Sequence, residues 1–503
     1  MSARNLVYLA ITTISAACGL IIEIAAGRMV APYIGMSLYT WTAIIAVVLT
    51  GFSIGHWIGG RLAEAPADRI RRDVAISLLL AGISTALSLV MIRLLAGPII
   101  GMGLAPVPTI LLLTTVLFFP PSLFVGIPSP ALTKLAIDEA PDRIGHVLGT
   151  FYAASAAGSI LGTLAAGFVF ISWLGTINTF VMVAVAYFAM AIVLAVTSSD
   201  AANRTALSLA AIAAVSLAVL GLAGSQSRAF VSPCQTESDY YCIRVVQGPI
   251  EAGTDSRALV LDHLGHGINI KSRPETLVTP YVELQDIMAR IHTGRRSPFR
   301  SFFIGGGAYT MPRAWLAARP DAEVVVAEVD PAVTRVAHRQ LWLPRDKRLR
   351  IHHEDARRAL AMAAPGTFDI VVGDAFHDIT MPQHLATREF FALVKSRLAD
   401  DGIYVMNVID NQIAPRLLAA IRATLATQFP VTEVWRSTGQ GERTTFIVAG
   451  LATATPYQRI KSKVTDGIVF ERLGDDLGAT QPIRRPLILT DDYAPVDRLI
   501  GVR

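Results

Sequence analysis

Phe302-Phe303-Ile304-Gly305-Gly306-Gly307-Ala308-Tyr309 is an apolar run that stops at three glycines. About 20 residues later comes a second run, Val324-Val325-Val326-Ala327-Glu328-Val329-Asp330-Pro331. Glycines at a strand end let the backbone turn tightly and approach a ligand, and the helix that follows offers free N–H groups. A carboxylate closing the next strand suits the two hydroxyls of a ribose. Together the two runs predict a doubly wound sheet that holds a nucleoside-bearing ligand.

The same alternation continues on both sides. Strands are expected near 301–305, 323–328, 349–353, 368–373 and 402–407, with helices near 310–318, 331–340, 355–363 and 386–399. Such spacing argues for a Rossmann-like parallel sheet with helices on both faces, whose crevice lies at the carboxyl ends of the strands. Upstream, Tyr241 to Val246 and Arg257 to Leu261 read as short antiparallel strands, and 277–292 as a helix. The domains expected are a small β-hairpin subdomain at 229–275 and an α/β domain at 276–503, behind a helical membrane domain at 1–228.

Within the α/β domain, Gly305, Gly306 and Gly307 would meet the ligand with backbone, Glu328 would take the ribose hydroxyls, and Asp355-Ala356 would face an adenine amino group. Asp374 closes the fourth strand in Asp369-Ile370-Val371-Val372-Gly373-Asp374-Ala375-Phe376-His377-Asp378. A carboxylate there can hold an amine and accept its proton as the nitrogen attacks; the competing reading is a loop-capping Asp. His377 and Asp378 read as solvated loop residues.

Residues 1–225 are almost all Ala, Leu, Ile, Val, Gly and Phe. A helix needs about 20 apolar residues to cross a bilayer. About seven spans are expected, near 6–31, 39–60, 74–96, 106–127, 146–172, 177–197 and 205–224. Pro120-Pro121 and Pro128 should kink or break the fourth. Gly51, Gly55 and Gly59, and Gly158 with Gly162, form files that let helices approach closely. Glu23, Arg28, His56 and Arg93 lie in or near spans, where an ionisable group tends to face a partner or a cavity. Glu23 and Arg28 are read either as a structural ion pair or as part of a polar pocket. Residues 60–72 loosely resemble the loop between the second and third helices of major facilitator transporters.

Arg61, Arg69, Arg71, Arg72, Lys134, Arg143 and Arg204 fall in even-numbered loops, which the positive-inside rule places in the cytoplasm. Seven spans then put the carboxyl domain outside, whereas a nucleoside donor made in the cytosol favours the inside. The first apolar run carries Glu23 and Arg28 and is too long for a removable signal peptide. Of three cysteines, Cys234 and Cys242 sit close together, either bridged or as two idle thiols. A net charge of +5 without a basic stripe speaks against nucleic acid as a partner.

At these residues the chain resembles the spermidine synthase (polyamine aminopropyltransferase) family, in particular its bacterial members fused to a transporter-like membrane region. Glu237-Ser238-Asp239-Tyr240-Tyr241-Cys242-Ile243 resembles the family's first hairpin, and Thr279-Pro280-Tyr281-Val282-Glu283 its tyrosine–histidine–glutamate element. Met381-Pro382-Gln383-His384-Leu385-Ala386-Thr387-Arg388-Glu389 and Leu489-Thr490-Asp491-Asp492-Tyr493-Ala494-Pro495 look typical of the fused members. The resemblance implies decarboxylated S-adenosylmethionine, or S-adenosylmethionine itself, as co-substrate at Gly305–Gly307, Glu328 and Asp355-Ala356. It implies Asp374 as the catalytic aspartate, with Glu283 and Tyr240 shaping the acceptor side.

Three departures stand out. Ala308 replaces an acid that grips the donor's cationic aminopropyl tail. Tyr241 replaces a glutamine, and Val282 a histidine. The aspartate–proline that usually closes the catalytic loop is missing.

The activity expected is aminopropyl transfer to an amine such as putrescine. The alternatives are methyl transfer to a membrane-associated acceptor, and a non-catalytic polyamine or nucleoside transporter-sensor. No metal and no permanently bound cofactor is implied. The expected partners are a small-molecule amine and the lipid bilayer of a bacterial inner (plasma) membrane; a homodimer is left open.

Overall fold

The computed structural model describes residues 2–196, 202–250, 254–294, 296–376, 381–439, 441, 443–479, 481, 483 and 485–500. The chain divides into two compact units, Met1–Cys242 and Ile243–Val502. The first residues of the expected hairpin subdomain therefore group with the helices, and its strands with the sheet. His377 and Asp378 lie outside the described residues.

The first unit runs α1 (Ala3–Ile34), α2 (Leu38–Leu62), α3 (Ala67–Gly101), α4 (Pro106–Gly126), α5 (Pro128–Asp138), α6 (Ile144–Ala165), α7 (Ile171–Val196) and α8 (Ala202–Ser227), then the two-residue strand β1 (Thr236–Glu237). Among the described residues, five continuous helical stretches are long and apolar enough to cross a membrane, at 3–34, 38–62, 67–101, 106–138 and 141–196. The last has 56 residues. At 1.5 Å per residue it is more than twice the length needed for a hydrocarbon layer of about 30 Å. Its backbone leaves the helical region at Gly175, where φ is 77°, between the fifth and sixth expected spans. The seventh expected span falls on α8. Helix α4 continues through Pro120-Pro121 and ends at Gly126, so the expected break comes just before Pro128.

Both glycine files are contact surfaces. A Cβ added at Gly55 would lie 2.2 Å from the Leu123 carbonyl oxygen, and one at Gly59 2.3 Å from that of Ile127, so α2 and α4 touch backbone to backbone. Gly158 and Gly162 stand in the same relation to Thr13 and Ala17 of α1, at 2.2 and 2.3 Å. Only residues without side chains allow this approach. Arg28 does not pair with Glu23. Its guanidinium donates to the carbonyls of Tyr240 at 2.6 Å and Ser238 at 2.5 Å. Cys234 and Cys242 are bridged.

The second unit opens with an antiparallel meander of β2 (Cys242–Gln247), β3 (Ser256–Leu261) and β4 (Leu264–Ile270). Helix α9 (Pro280–Thr293) follows. Then come β5 (Phe299–Ile304), α10 (Thr310–Ala318), β6 (Ala322–Ala327), α11 (Pro331–Gln340), β7 (Leu349–His352), α12 (Ala356–Ala361), β8 (Phe368–Gly373), α13 (Arg388–Arg397) and β9 (Leu398–Asn411). The chain closes with α14 (Arg416–Ala426), β10 (Val431–Ser437), β11 (Arg443–Leu451), β12 (Arg459–Lys461), β13 (Val469–Arg472) and α15 (Val496–Leu499). Capping follows chemistry: Asp330, before Pro331 at the first helical position, accepts from Ala332 N at 2.8 Å, and Thr387 accepts from Phe390 N at 3.2 Å.

Strands β5 to β13 form one sheet in the order β12-β13-β10-β11-β9-β8-β5-β6-β7. The five from β9 to β7 are parallel, and the other four extend the sheet antiparallel. Beyond β5 the chain moves to β6 and β7 on one side, then returns to β8 and β9 on the other. The sheet therefore reverses between β5 and β8, the place where open α/β sheets bind ligands.

Candidate active site

Register puts the site together. Ile304 pairs with Ala327 on one side and Gly373 on the other, Ala327 with His352, and Gly373 with Met406. The next residue of each strand therefore falls in one row along the carboxyl edge: His353, Glu328, Gly305, Asp374, Asn407. The ladder continues into this row, with Glu328 N on the His352 carbonyl at 3.0 Å, Gly305 N on Ala327 at 2.9 Å and Asp374 N on Ile304 at 3.0 Å. Adjacent strands lie about 4.8 Å apart, so Glu328 and Asp374, two strands apart, are separated by about 10 Å. That distance is within reach of a ribose and its 5′ substituent.

Gly305 sits at φ 93°, a conformation open to glycine, and a Cβ there would lie 2.6 Å from the Asp374 carbonyl oxygen. The crossing of β5 into α10 beside the Asp374 backbone requires this residue. Glu328 is 6% exposed. Its Oε2 accepts from Gly306 N at 2.8 Å and from Gly307 N at 3.4 Å, and its Oε1 from Asp330 N at 2.9 Å. It braces the glycine turn as well as ending its own strand. Burial raises its pKa against the pull of these N–H groups. A carboxylate has about four lone-pair sites, and three are taken by these N–H groups, so acceptor capacity remains for one hydroxyl.

Asp374 is held from two sides. Asn407 Nδ2 donates to its Oδ1 at 2.9 Å, and the Tyr281 phenol donates to it from the start of α9. Removal from water pushes the Asp374 carboxyl up to about 7, although both hydrogen bonds pull it down. Tyr281 is pushed well above the usual phenol range, by burial first and then by the Asp374 charge, so it remains a donor. Tyr281→Phe removes one of the two bonds that favour the carboxylate. Its expected effect is to move the Asp374 midpoint further up, read by carboxyl-carbon NMR titration; an unmoved or lowered midpoint would contradict the contact.

The other expected site residues have firm partners. Asp355 caps α12, with Oδ1 accepting from Arg357 N at 3.0 Å and Arg358 N at 3.2 Å, while His384 Nε2 lies 2.7 Å from its Oδ2. Ala356 is the first residue of that helix and is buried. Arg357 in turn grips both oxygens of Asp491 at 2.8 and 2.6 Å. These contacts join the His384 and Asp491 motifs to the Asp355 strand end. Glu283, buried in the first turn of α9, accepts from Ser462 Oγ at 2.6 Å and Lys463 N at 2.7 Å, holding the turn between β12 and β13. Tyr240 belongs to the first unit and is 46% exposed.

Tyr281 and Asn407 were not anticipated as partners of Asp374. The available signal was a lone amide in the apolar run Tyr404-Val405-Met406-Asn407-Val408.

Against known families, residues 304–438 match the spermine/spermidine synthase domain. The match covers about a quarter of the chain, which spans well under half of its Vibrio vulnificus relative. The matched span holds Gly305–Gly307, Glu328, Asp355, Ala356, Asp374 and Asn407, while Tyr240, Glu283 and Tyr281 lie outside it. A polyamine aminopropyltransferase of Vibrio vulnificus is 32% identical over 116 residues, 23% of this chain and 39% of that one. Polyamine aminopropyltransferase 2 of Streptomyces coelicolor is 25% identical over 423 residues, 82% of this chain and 75% of that one. The sheet unit spans 260 residues (502 − 243 + 1), so the Streptomyces match reaches into the helical unit. A probable spermidine synthase from Corynebacterium glutamicum, solved as a crystal structure, aligns with TM-score 0.39 and 24% identity over 43% of this chain and 78% of that one.

Proposed function

We propose that the protein is a membrane-bound aminopropyltransferase that moves the aminopropyl group of decarboxylated S-adenosylmethionine onto an amine such as putrescine. The observation that carries this reading is the row Glu328–Gly305–Asp374. Two strand-end carboxylates flank a half-buried glycine turn at the sheet reversal, which supports a ribose acceptor on one side and a proton acceptor on the other. In this reading a ribose hydroxyl of the donor meets Glu328 and its base lies toward Asp355 and Ala356. The amine nitrogen attacks the carbon bound to sulfur, the C–S bond breaks, methylthioadenosine leaves, and the nitrogen's proton passes to the Asp374 carboxylate. Holding the two reactants in line contributes much of the rate. Tyr281 and Asn407 orient the carboxylate, and Glu283 holds the loop at Ser462.

One feature of the sequence favours methyl transfer from intact S-adenosylmethionine as a second reading. Ala308 stands where the resembled family carries an acid, although here its side chain is buried against β4. The two readings predict different products. Incubating the purified full-length protein with each donor, with and without 1,4-diaminobutane, should release methylthioadenosine only from the decarboxylated donor and only with the amine. Adenosylhomocysteine as product would replace the first reading with the second, and neither product would sink both.

The apolar helical stretches support a multi-pass protein of the bacterial inner membrane. The Cys234–Cys242 bridge joins the loop charges in favouring the outer side for the carboxyl domain, since such bridges persist in oxidising compartments. Thiol labelling of intact cells only after adding a membrane-impermeant reductant would support that side. Labelling without reductant would oppose it.

A further inference from the structure

We propose that the helical unit contains a binding site for a small aliphatic ammonium ion, centred on Glu23 and independent of the chemistry of the sheet unit. A cavity of about 260 Å³ opens among α1, α2, α5 and α6. Its polar lining includes Ser15, Glu23, His56, Ser129, Ser155 and Ser159. Among the described residues, no lysine or arginine borders it.

Glu23 sits in a long apolar helix, where a bare carboxylate costs about 2.5–3.5 kcal/mol on insertion scales and normally finds a partner. Among the described residues, no hydrogen bond or ion pair reaches its carboxylate. Arg28, the nearest cation along the chain, is engaged with the carbonyls of Ser238 and Tyr240. Ser15 is a second, independent sign. Its side chain is 3% exposed and lines the cavity, yet among the described residues its hydroxyl has no partner. A buried polar group without a partner carries a desolvation penalty that a ligand's hydrogen bond would relieve.

The polar groups select the ligand's chemistry. His56 Nδ1 lies 2.6 Å from the Phe52 carbonyl, which can only accept, so Nδ1 carries the proton and Nε2 is left as an acceptor. The Glu23 carboxylate, the imidazole Nε2 and the serine oxygens together form an acceptor-rich, net negative surface, which calls for a cation with several N–H donors. Calcium takes six to eight oxygen ligands, more than one carboxylate and scattered hydroxyls supply, and the apolar wall suits a ligand with a hydrocarbon body better than a hydrated ion. Leu49 and Phe52 supply an apolar wall for a short hydrocarbon body. The volume falls just below the range of ordinary ligand pockets, about 300–1,000 Å³, which fits a molecule of few heavy atoms.

A diazirine-bearing butylamine, photolysed with the full-length protein in lipid nanodiscs, tests this directly. Labelled peptides should include those carrying Glu23 and Ser155, and 1,4-diaminobutane should compete. Butane-1,4-diol, the neutral counterpart, should not. Glu23→Gln should reduce labelling of these helices at least tenfold, and Ser15→Ala several-fold, while Asp374→Asn leaves it unchanged. Ser15→Ala provides the answer should Glu23→Gln fail to fold. Equal competition by the diol would show an apolar or lipid-filled cavity and overturn the proposal. So would labelling that ignores both substitutions, or labelling confined to the sheet unit.

Discussion

Asp374→Asn should lower turnover by about 10²- to 10⁴-fold, the usual contribution of a positioned proton acceptor, while the protein folds as before. The amide is nearly isosteric with the carboxylate. Its oxygen can still accept from Asn407 Nδ2, and its nitrogen can donate to the Tyr281 oxygen, so both contacts survive with one direction reversed. What disappears is the capacity to take a proton. Donor binding should change little, because Glu328 and the glycine turn are untouched. A variant with near-normal product release at saturating substrates would remove Asp374 from the chemistry.

The same residue gives a pH signature with a defined sign. With the Asp374 carboxyl pushed up to about 7, the ionised fraction climbs across neutrality, and activity should rise with it from pH 6 to pH 8. Stability should move the other way. The folded-state pKa lies above the unfolded value, so the folded protein binds the extra proton between about 4 and 7, and the contribution of this group to stability falls as pH rises through that window. The Asn variant lacks that slope. Relative to the parent it should therefore be more stable at pH 8 than at pH 4.5, as thermal unfolding would show.

Much of this site was legible because its parts end apolar strands. Glu328 follows Val324-Val325-Val326-Ala327, and Asp374 follows Ile370-Val371-Val372-Gly373. A carboxylate at such a place stands at the carboxyl edge of the sheet, where the crevice opens. Parallel register then brings the two acids to one edge, which the strand–helix spacing already implied. Tyr281 was less legible, because an aromatic in the first turn of a helix is ordinarily core and its contact with Asp374 joins residues 93 apart in the chain. Asp355 shows a related limit. Sequence marks it as a strand-end acid, but the same position is the N-cap of α12, and a short polar side chain readily takes both roles. The antiparallel strands β10 to β13 escaped because they are short or alternate polar with apolar residues, as Val431-Thr432-Glu433-Val434-Trp435 does, and were overshadowed by the runs before them. In the helical unit, the expected seven crossings and the five continuous stretches differ at α8, which is not among the five, and at Gly175. There a single positive-φ residue bends the helix without breaking its assignment.

Ala308→Asp is the substitution that separates this chain most sharply from the family pattern, and it should destabilise the protein by about 3 kcal/mol, as an uncompensated buried charge does. Ala308 is 1% exposed. A Cβ placed on Gly267 of β4 would come within 2.8 Å of the Ala308 Cβ, so this side chain faces the hairpin and not the crevice. Asn269 of β4 also donates to the Ala308 carbonyl at 2.9 Å, fixing the turn against the strand. The Thr310 hydroxyl, buried without a partner among the described residues, lies against the same glycine. His266, on the same strand, is held neutral by burial, with its pKa pushed down to about 4. Restoring the family's acid should therefore not tighten donor binding. It should push β4 off the glycine turn and lower the unfolding midpoint. The penalty belongs to the ionised form, so the gap from the parent should narrow between pH 8 and pH 5. Unfolding curves at the two pH values, with calorimetric titration of the decarboxylated donor, give the test. A stable Ala308→Asp protein that binds this donor more tightly than the parent would mean that the turn opens toward the ligand, and that the lost acid alone separates this chain from an ordinary aminopropyl donor site.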